Sequence, residues 1–527
     1  MRTGQTLIHH FLERSAESFP DSVAVVFDDE RRSYADMNRL ANQLAHGLIE
    51  AGVQPGDRVV LISENSPDYI FCYYGILKAG GISVALNTGL KPETIKGLLE
   101  ELRPKVLIIS SRFEPILTSL HLSRLDIRHI YVANARRTES SDPGGGALLP
   151  ALLSSQSDNN PDLDIDPRTC AMIVYTSGSA GRPKGVMLTH ANIIANTRSI
   201  VEFLKLTSHD VQMVVLPFFY VMGKSLLNTH IAVGGRVVIH NKFAYTASVL
   251  KKMAAEGVTG FSGVPSTYAH LLFKSPLACF RDKLPALRYC SQAGGHMPKY
   301  VKLELLRVLP PHTRLYIMYG ATEAAARLAY LAPEFLLKKI DSIGKPISGV
   351  TIKILSDSGK VLKPGDTGEL VAQGENIMIG YFRDEESTKK VLDKHGYHTG
   401  DLGYFDEDGF LYVTGRKDDQ LKVGGHRINP QEIEDVIMES GRVVECIVFG
   451  IPDPLAGHRL AGLVVPMRNT PGAAAGMLDY CREKLPNYKI PQTLLIVASI
   501  PKNDIGKPDR TGSIRFFQNM YNRGKES

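Results

Sequence analysis

Between Tyr175 and His190 the chain reads YTSGSAGRPKGVMLTH, which crowds Thr176, Ser177, Gly178, Ser179, Gly181, Lys184 and Gly185 between two apolar runs. These are the groups a polyphosphate needs: glycines let the main chain approach, N–H groups and hydroxyls donate, and the ammonium neutralises charge. The spacing is not that of a GxxxxGK[ST] loop. The flanking runs AMIVY and VMLTH are strand-like, so the loop is expected to join two strands rather than to cap a helix. A second stretch, YGATE from Tyr319 to Glu323, brings together an aromatic ring, a glycine, a hydroxyl and a carboxylate. That set suits an adenine face, an α-phosphate and a Mg2+ ion held by one carboxylate and phosphate oxygens, while a Thr-Glu pair is also an ordinary helix cap.

A third stretch, DLGYFDEDGFLYVTGR, reads as a β-hairpin with a two-residue turn at Asp408-Gly409. That turn sets Asp401 directly opposite Arg416 at the open end, either as a plain cross-strand ion pair or as a carboxylate presented to paired hydroxyls. Lys507, in the polar turn NDIGKP, has by residue type alone the character of a solvated surface lysine.

The elements that must position these groups alternate along the chain. Ser33 is a plausible N-cap, Met37, Leu40, Ala41, Leu44 and Leu48 recur on one helical face, and Gly52 follows as a stop. Short apolar runs (VAVVF, RVVLIS, ISVALN, KVLIIS) alternate with helical stretches such as PDYIFCYYGILKAG, the rhythm of βαβ units in an α/β layered body. Residues 135–167, rich in Ser, Asp, Pro and Gly, read as a long exposed loop within one large domain. After about Asp418 the stretches ECIVFGI, RLAGLVVPM and AAAGMLDYCREKL carry a small second domain of their own. No internal repeat is found.

Composition excludes several classes. The chain has 527 residues, 43% hydrophobic and 22% charged, so a sizeable folded core is expected. A net charge of +6 gives little field for gripping nucleic acid. Six scattered cysteines, with no CxxC pair and no histidine cluster at metal-ligand spacing, point to reduced thiols. TLIHHFLERSAESF has no signal-peptide core, and the longest apolar run, Met213 to Gly223, falls well short of a membrane span. A cytoplasmic protein without an integral membrane segment is the expectation.

The phosphate-type loop resembles the signature of the adenylate-forming superfamily, which includes acyl-CoA synthetases, peptide-synthetase adenylation domains and luciferases. Further stretches resemble that family in the same order: LPFFYVMG, YCSQAGGHMP, YGATE, GELVAQGENIMIGYF, the run from Tyr397 to Glu434, and PKNDIGKPDR. The resemblance implies a large multi-subdomain α/β adenylation domain over 1–417 and a small hinged α+β domain over 418–527. It implies ATP, Mg2+ and CoA, or a carrier-protein phosphopantetheine, as co-substrates of a carboxylic acid. In that pattern Asp401 and Arg416 hold the ribose hydroxyls, Glu323 and Thr176 serve the metal, and Thr322 meets the α-phosphate. Tyr319 stacks on adenine beside Gly320, while Gly294, Gly295 and His296 run along its edge. Lys507 bridges carboxylate and α-phosphate as negative charge builds. Asp418 is the hinge, and Lys422, Gly424, Gly425 and Arg427 line a thiol tunnel after rotation.

Two residues depart from the pattern: Ala180 stands where threonine is frequent in the phosphate loop, and Tyr220 where many acyl-CoA synthetases carry histidine. Tyr220, Met222, Gly223 and Lys224 are expected at the acid pocket. No acidic residue lies between Leu216 and His230, which disfavours an α-amino acid and favours an acyl or aryl acid. For Lys224 and Arg327 a snorkelling surface position is preferred over pairing with a second carboxylate of the substrate. The expected activity is an AMP-forming acyl-CoA ligase; the alternatives are loading of a carrier protein, an enzyme that stops at the adenylate, and a non-catalytic scaffold.

Overall fold

The computed structural model describes residues 7–120, 125, 127–134, 146–176, 183–423, 426–453, 457–468, 472–502 and 508–526, with backbone alone at 422, 427, 457 and 522–526. Four β-sheets organise it: one of nine strands, one of eight and two of five. In the eight-stranded sheet, Arg58–Ile62, Ile82–Ala85, Val106–Ser110 and His129–Ala133 run parallel, as the βαβ rhythm requires. The nine-stranded sheet has the parallel sequence Val211–Val214, Gly260–Gly263, Tyr289–Gln292 and Arg314–Tyr319, whose carboxyl ends open on a cleft. The strands of both sheets are largely buried on both faces, which accounts for the near-continuous apolar runs Arg58–Ile62 and Val106–Ser110 of the eight-stranded one.

Local chemistry fixes the helices. The Tyr34–Glu50 helix starts at Ser33, whose side chain accepts from the Asp36 amide, and buries Met37, Ala41, Leu44 and Leu48. Pro67–Lys78 starts on Ser66 with proline in its first turn and is buried nearly throughout, between the two large sheets. Residues 135–145 of the expected loop lie outside the described residues. Its second half differs from a free excursion: Leu149–Leu153 is a short helix burying Leu149 and Leu153. The Asp158 carbonyl then accepts from Asn42 Nδ2 at 2.6 Å, and Asn160 accepts from Lys78 Nζ at 2.9 Å, tying the segment to the two preceding helices.

The third sheet, antiparallel, contains Val350–Leu355, Gly368–Gly374, Gly396–Phe405 and Leu411–Arg416. The fourth belongs to the smaller C-terminal domain and is built on Val443–Asp453 and Gly457–Pro466. Its helix Pro430–Glu439 buries Ile433 and Ile437 in a core that also contains Val301 and Leu305 of the larger domain. No described helix is long and apolar enough to cross a membrane. All six cysteines are free: Cys72, Cys290 and Cys481 are buried and Cys279 is exposed.

Candidate active site

A cleft of about 970 Å³ lies between the two domains and collects most of the residues singled out from sequence. Cys170–Thr176 and Lys184–Thr189 form the expected antiparallel pair, with Thr176 opposite Lys184 and both on the cleft wall. Ser177, Gly178, Ser179, Ala180 and Gly181 lie outside the described residues. Lys184 Nζ sits 5.0 Å from the Tyr381 ring centroid, and Tyr381 donates its hydroxyl to Glu323 Oε1 at 2.9 Å. Burial and the Glu323 carboxylate push that phenol upward, so it stays a donor.

Thr322 and Glu323 sit on a single 3-10 turn, Thr322–Ala324, at the end of the Arg314–Tyr319 strand. The chain then passes through Ala325 at φ 52° and Ala326 at φ 122°, conformations that cost an L-residue energy. Two buried amides hold this bend: Asn196 and Asn376 each donate to the Arg327 carbonyl, at 2.8 and 2.9 Å. Gly320 is obligatory here, because a Cβ would stand 2.0 Å from the Ala326 oxygen.

Asp401 and Arg416 are cross-strand partners, with Arg416 Nε 3.1 Å from Asp401 Oδ1, but by a different route from the expected two-residue turn. Gly409 (φ 77°) closes a turn on Asp406, and Asp406 pairs through its amide with the Phe410 carbonyl, so the loop holds one residue more. The register is restored by a bulge at Thr414, between the pairs Gly403–Val413 and Leu402–Gly415. The Tyr319 hydroxyl donates to Asp401 Oδ2 at 2.5 Å, and burial together with that carboxylate pushes the phenol well up. A carboxylate held by a phenol on one side and a guanidinium on the other faces the cleft.

Gly294, Gly295 and His296 lie on the opposite wall, where Gln292 Nε2 fixes the Gly295 carbonyl at 2.7 Å. His296 Nε2 reaches across to Asp435 Oδ1 of the small domain at 2.8 Å. Asp418, Asn429, Gln431, Glu434 and Pro508 also face the cleft. Burial raises the Glu434 carboxyl, against the pull of Arg510, while the Val448 amide donates to it at 2.8 Å. Lys507 lies outside the described residues; Lys502 and Pro508, on either side of its turn, pair as an antiparallel bridge. Lys422 and Arg427 are backbone partners on adjacent strands, Gly424 and Gly425 lie outside the described residues, and His426 between them stacks on Tyr488 at 4.1 Å.

Only part of the expected acid pocket is on the wall. Tyr220 is there, as the N-cap of the Val221–Ile231 helix, and Asn87 Nδ2 donates to its hydroxyl at 3.1 Å. Phe219, Leu90, Val264 and Ala269 extend an apolar surface beside it. Met222, Gly223 and Lys224 are not on the wall, because from Met222 onward every residue of this helix is buried. Lys224 is therefore no surface lysine: Nζ donates to Tyr69 at 2.7 Å and lies 3.7 Å from the Tyr73 ring centroid, and burial lowers it far below an ordinary amine. Arg327, likewise expected at the surface, is 3% exposed.

Two features escaped the sequence reading. Tyr381 lies within a stretch already noted, GENIMIGYF, yet nothing local marks its hydroxyl as the partner of Glu323. The N-terminal histidines do form a cluster: one turn of helix brings ligand atoms of His9, His10 and Glu13 within 4.8 Å of one another, although Glu13 is already engaged by Lys78 at 2.6 Å.

Residues 12–382 match the AMP-binding enzyme family and residues 432–507 the AMP-binding enzyme C-terminal domain. The chain belongs to the AMP-binding enzyme family. It is 31% identical over 501 residues to a feruloyl-CoA synthase of an Amycolatopsis species, covering 94% of this chain and 96% of the relative. It is 30% identical to the 2-succinylbenzoate–CoA ligase of Bacillus licheniformis, covering 94% and 98%. Among solved structures, an anthranilate CoA ligase in complex with anthranoyl-AMP superposes with TM-score 0.87 at 25% identity, over 97% of this chain and 96% of that one. The o-succinylbenzoate coenzyme A synthetase of Bacillus subtilis in complex with ATP and magnesium gives TM-score 0.81 at 27% identity, over 95% and 98%. The expected large α/β domain with a smaller C-terminal one is the architecture of these neighbours.

Proposed function

We propose that this enzyme activates an acyl or aryl carboxylic acid with ATP and Mg2+, releasing pyrophosphate, and passes the acyl group from the adenylate to the thiol of CoA. The observation that carries the reading is the convergence on one cleft of the Tyr319–Asp401–Arg416 constellation, the Thr322–Glu323 turn and the Thr176–Lys184 strand ends. The roles follow from chemistry. Asp401, a carboxylate held by Tyr319 and Arg416 and facing the cleft, takes the ribose hydroxyls. Glu323, steadied by Tyr381, supplies a carboxylate for Mg2+, and Thr322 donates to the α-phosphate. The Tyr319 ring and the Gly294–Gly295 backbone enclose the base. Lys184 faces the triphosphate and Tyr220 opens the acid end.

In the first step the substrate carboxylate oxygen attacks the α-phosphorus and pyrophosphate leaves, so no protein nucleophile is needed; Lys507 balances the growing charge. In the second the CoA thiolate attacks the acyl carbon and AMP leaves. We place the domain boundary at 417/418 and the hinge at Asp418, between the last strand of the third sheet and the first of the fourth. Rotation there exchanges the Lys507 turn for the Lys422–Arg427 strands.

Pyrophosphate release with hydroxylamine as a trap, over a panel of short, long and aromatic acids, tests the reading. A signal lost in Lys507→Ala is expected, and adding CoA or a carrier protein identifies the acceptor. Pyrophosphate release that is absent for every acid, or indifferent to Lys507, overturns it.

A further inference from the structure

The interior contains three cations without a carboxylate ion pair among the described residues, and they are not equivalent: Lys302 donates to the Ile340 carbonyl at 2.5 Å. Lys224 is satisfied in place: the Tyr69 hydroxyl oxygen accepts a hydrogen bond from Nζ, and the ring centroids of Tyr69 and Tyr73 lie 4.3 and 3.7 Å from it. Arg327 is not. Its Nε points to the Met318 thioether sulfur at 3.1 Å, a weak acceptor, and its Nη1 donates to the Ala326 carbonyl at 3.1 Å. A guanidinium has five N–H donors, so three have no acceptor among the described residues. Burial alone lowers the group, to about 10. It stays charged at neutral pH, and a buried charge without a counter-ion is costly.

Location gives this a meaning. Met318 and Gly320 form the cleft wall beside the Thr322–Glu323 turn, and the Ala326 oxygen packs directly against Gly320. The guanidinium thus lies immediately behind the cleft wall beside that turn. Met318 shares a buried apolar cluster with Met222 and Ala293. Ser199, one turn beyond Asn196 on the His190–Leu204 helix, is also buried with an unpartnered hydroxyl, and the Asn196 side chain contacts the Arg327 carbonyl. A purely structural role does not explain the side chain. The strained bend is held through the Arg327 carbonyl, which any residue would supply.

We propose that Arg327 is a specificity-determining residue that receives a second carboxylate, at the far end of the acid, so that the natural substrate is a dicarboxylic acid. This rests on the adenylation reading above. The end to be activated lies at Thr322, and the tail carboxylate displaces the Met318 thioether from the guanidinium.

The test compares succinate, adipate, sebacate and terephthalate, each against its monomethyl ester, by pyrophosphate release with hydroxylamine. At least one diacid is expected to exceed its ester by about 100-fold in kcat/KM. Arg327→Met is expected to remove that preference while changing the best monoester by less than about threefold, and Arg327→Lys to restore part of it. A structural role would lower diacid and ester together. The wild-type comparison needs no variant to fold. Esters turned over as well as every diacid overturn the subsite and leave adenylation standing. Release with no acid at all overturns the adenylation reading and the subsite with it.

Discussion

His296 on the larger domain and Asp435 on the smaller one meet at 2.8 Å across the cleft, so the glycine segment proposed to border adenine also touches the first helix of the small domain. Both side chains are about a third exposed, at 33% and 36%, which places the pair in the range of roughly 0.2–1 kcal/mol.

Asp435→Asn is therefore expected to change the ratio of adenylate formation to thioester formation by less than about fivefold, with the melting temperature unchanged. Separate assays of pyrophosphate exchange and CoA consumption check this. A complete loss of one half-reaction would show that the contact controls the domain arrangement far more strongly than a surface pair can.

Tyr319→Phe keeps the ring and removes the donor to Asp401. A hydrogen bond to a buried charged group contributes about 1.5–3 kcal/mol, so KM for ATP is expected to rise about tenfold or more while KM for the acid stays the same. Equal changes in both would point to collapse of the wall instead.

Gly320→Ala forces the strained bend to move, since the new methyl would overlap the Ala326 oxygen. Overpacking of this kind costs about 1–3 kcal/mol. Thermal unfolding should fall measurably, and activity should fall by more than tenfold because Thr322 and Glu323 ride on the displaced segment.

Acid sensitivity is expected from His230, which is wholly buried with Nδ1 on the Leu226 carbonyl at 2.9 Å and is pushed down by burial to about 4. Below the ordinary value of about 6.5 the unfolded chain takes up a proton that the folded chain refuses. The contribution is full above that pH and is lost as pH falls towards about 4, by about 1.4 kcal/mol for each unit. Urea unfolding of His230→Gln should give a lower stability at neutral pH and a shallower decline on acidification; a decline parallel to wild type would contradict this.

The elements built on local rules were legible from sequence. Ser33 and its helix, the parallel runs and the strand pair around the phosphate-type loop follow from capping, period and turn chemistry, and the ordered motifs pointed to the family. The contacts that shape the cleft were less so. Tyr381 meets Glu323 across 58 positions and His296 meets Asp435 across 139, and no local pattern encodes a partner so distant. Lys224 was misread for a related reason: snorkelling needs a solvent face, and the Val221–Ile231 helix has none beyond its first residue. Arg327 sits after a bend whose two positive-φ alanines could not be anticipated from residue type.

The hairpin that presents Asp401 keeps its alignment by two opposite irregularities, one extra residue in the turn near Gly409 and one in the bulge at Thr414. Were the same chain to close on a two-residue turn and keep the bulge, Asp401 would lie opposite Lys417 and the Arg416 side chain would pass to the other face of the sheet. Straightening the bulge while keeping the longer turn would set Gly415 there instead. Only both changes together recover the Asp401–Arg416 pair, so the alignment of the site couples two positions that do not line the cleft.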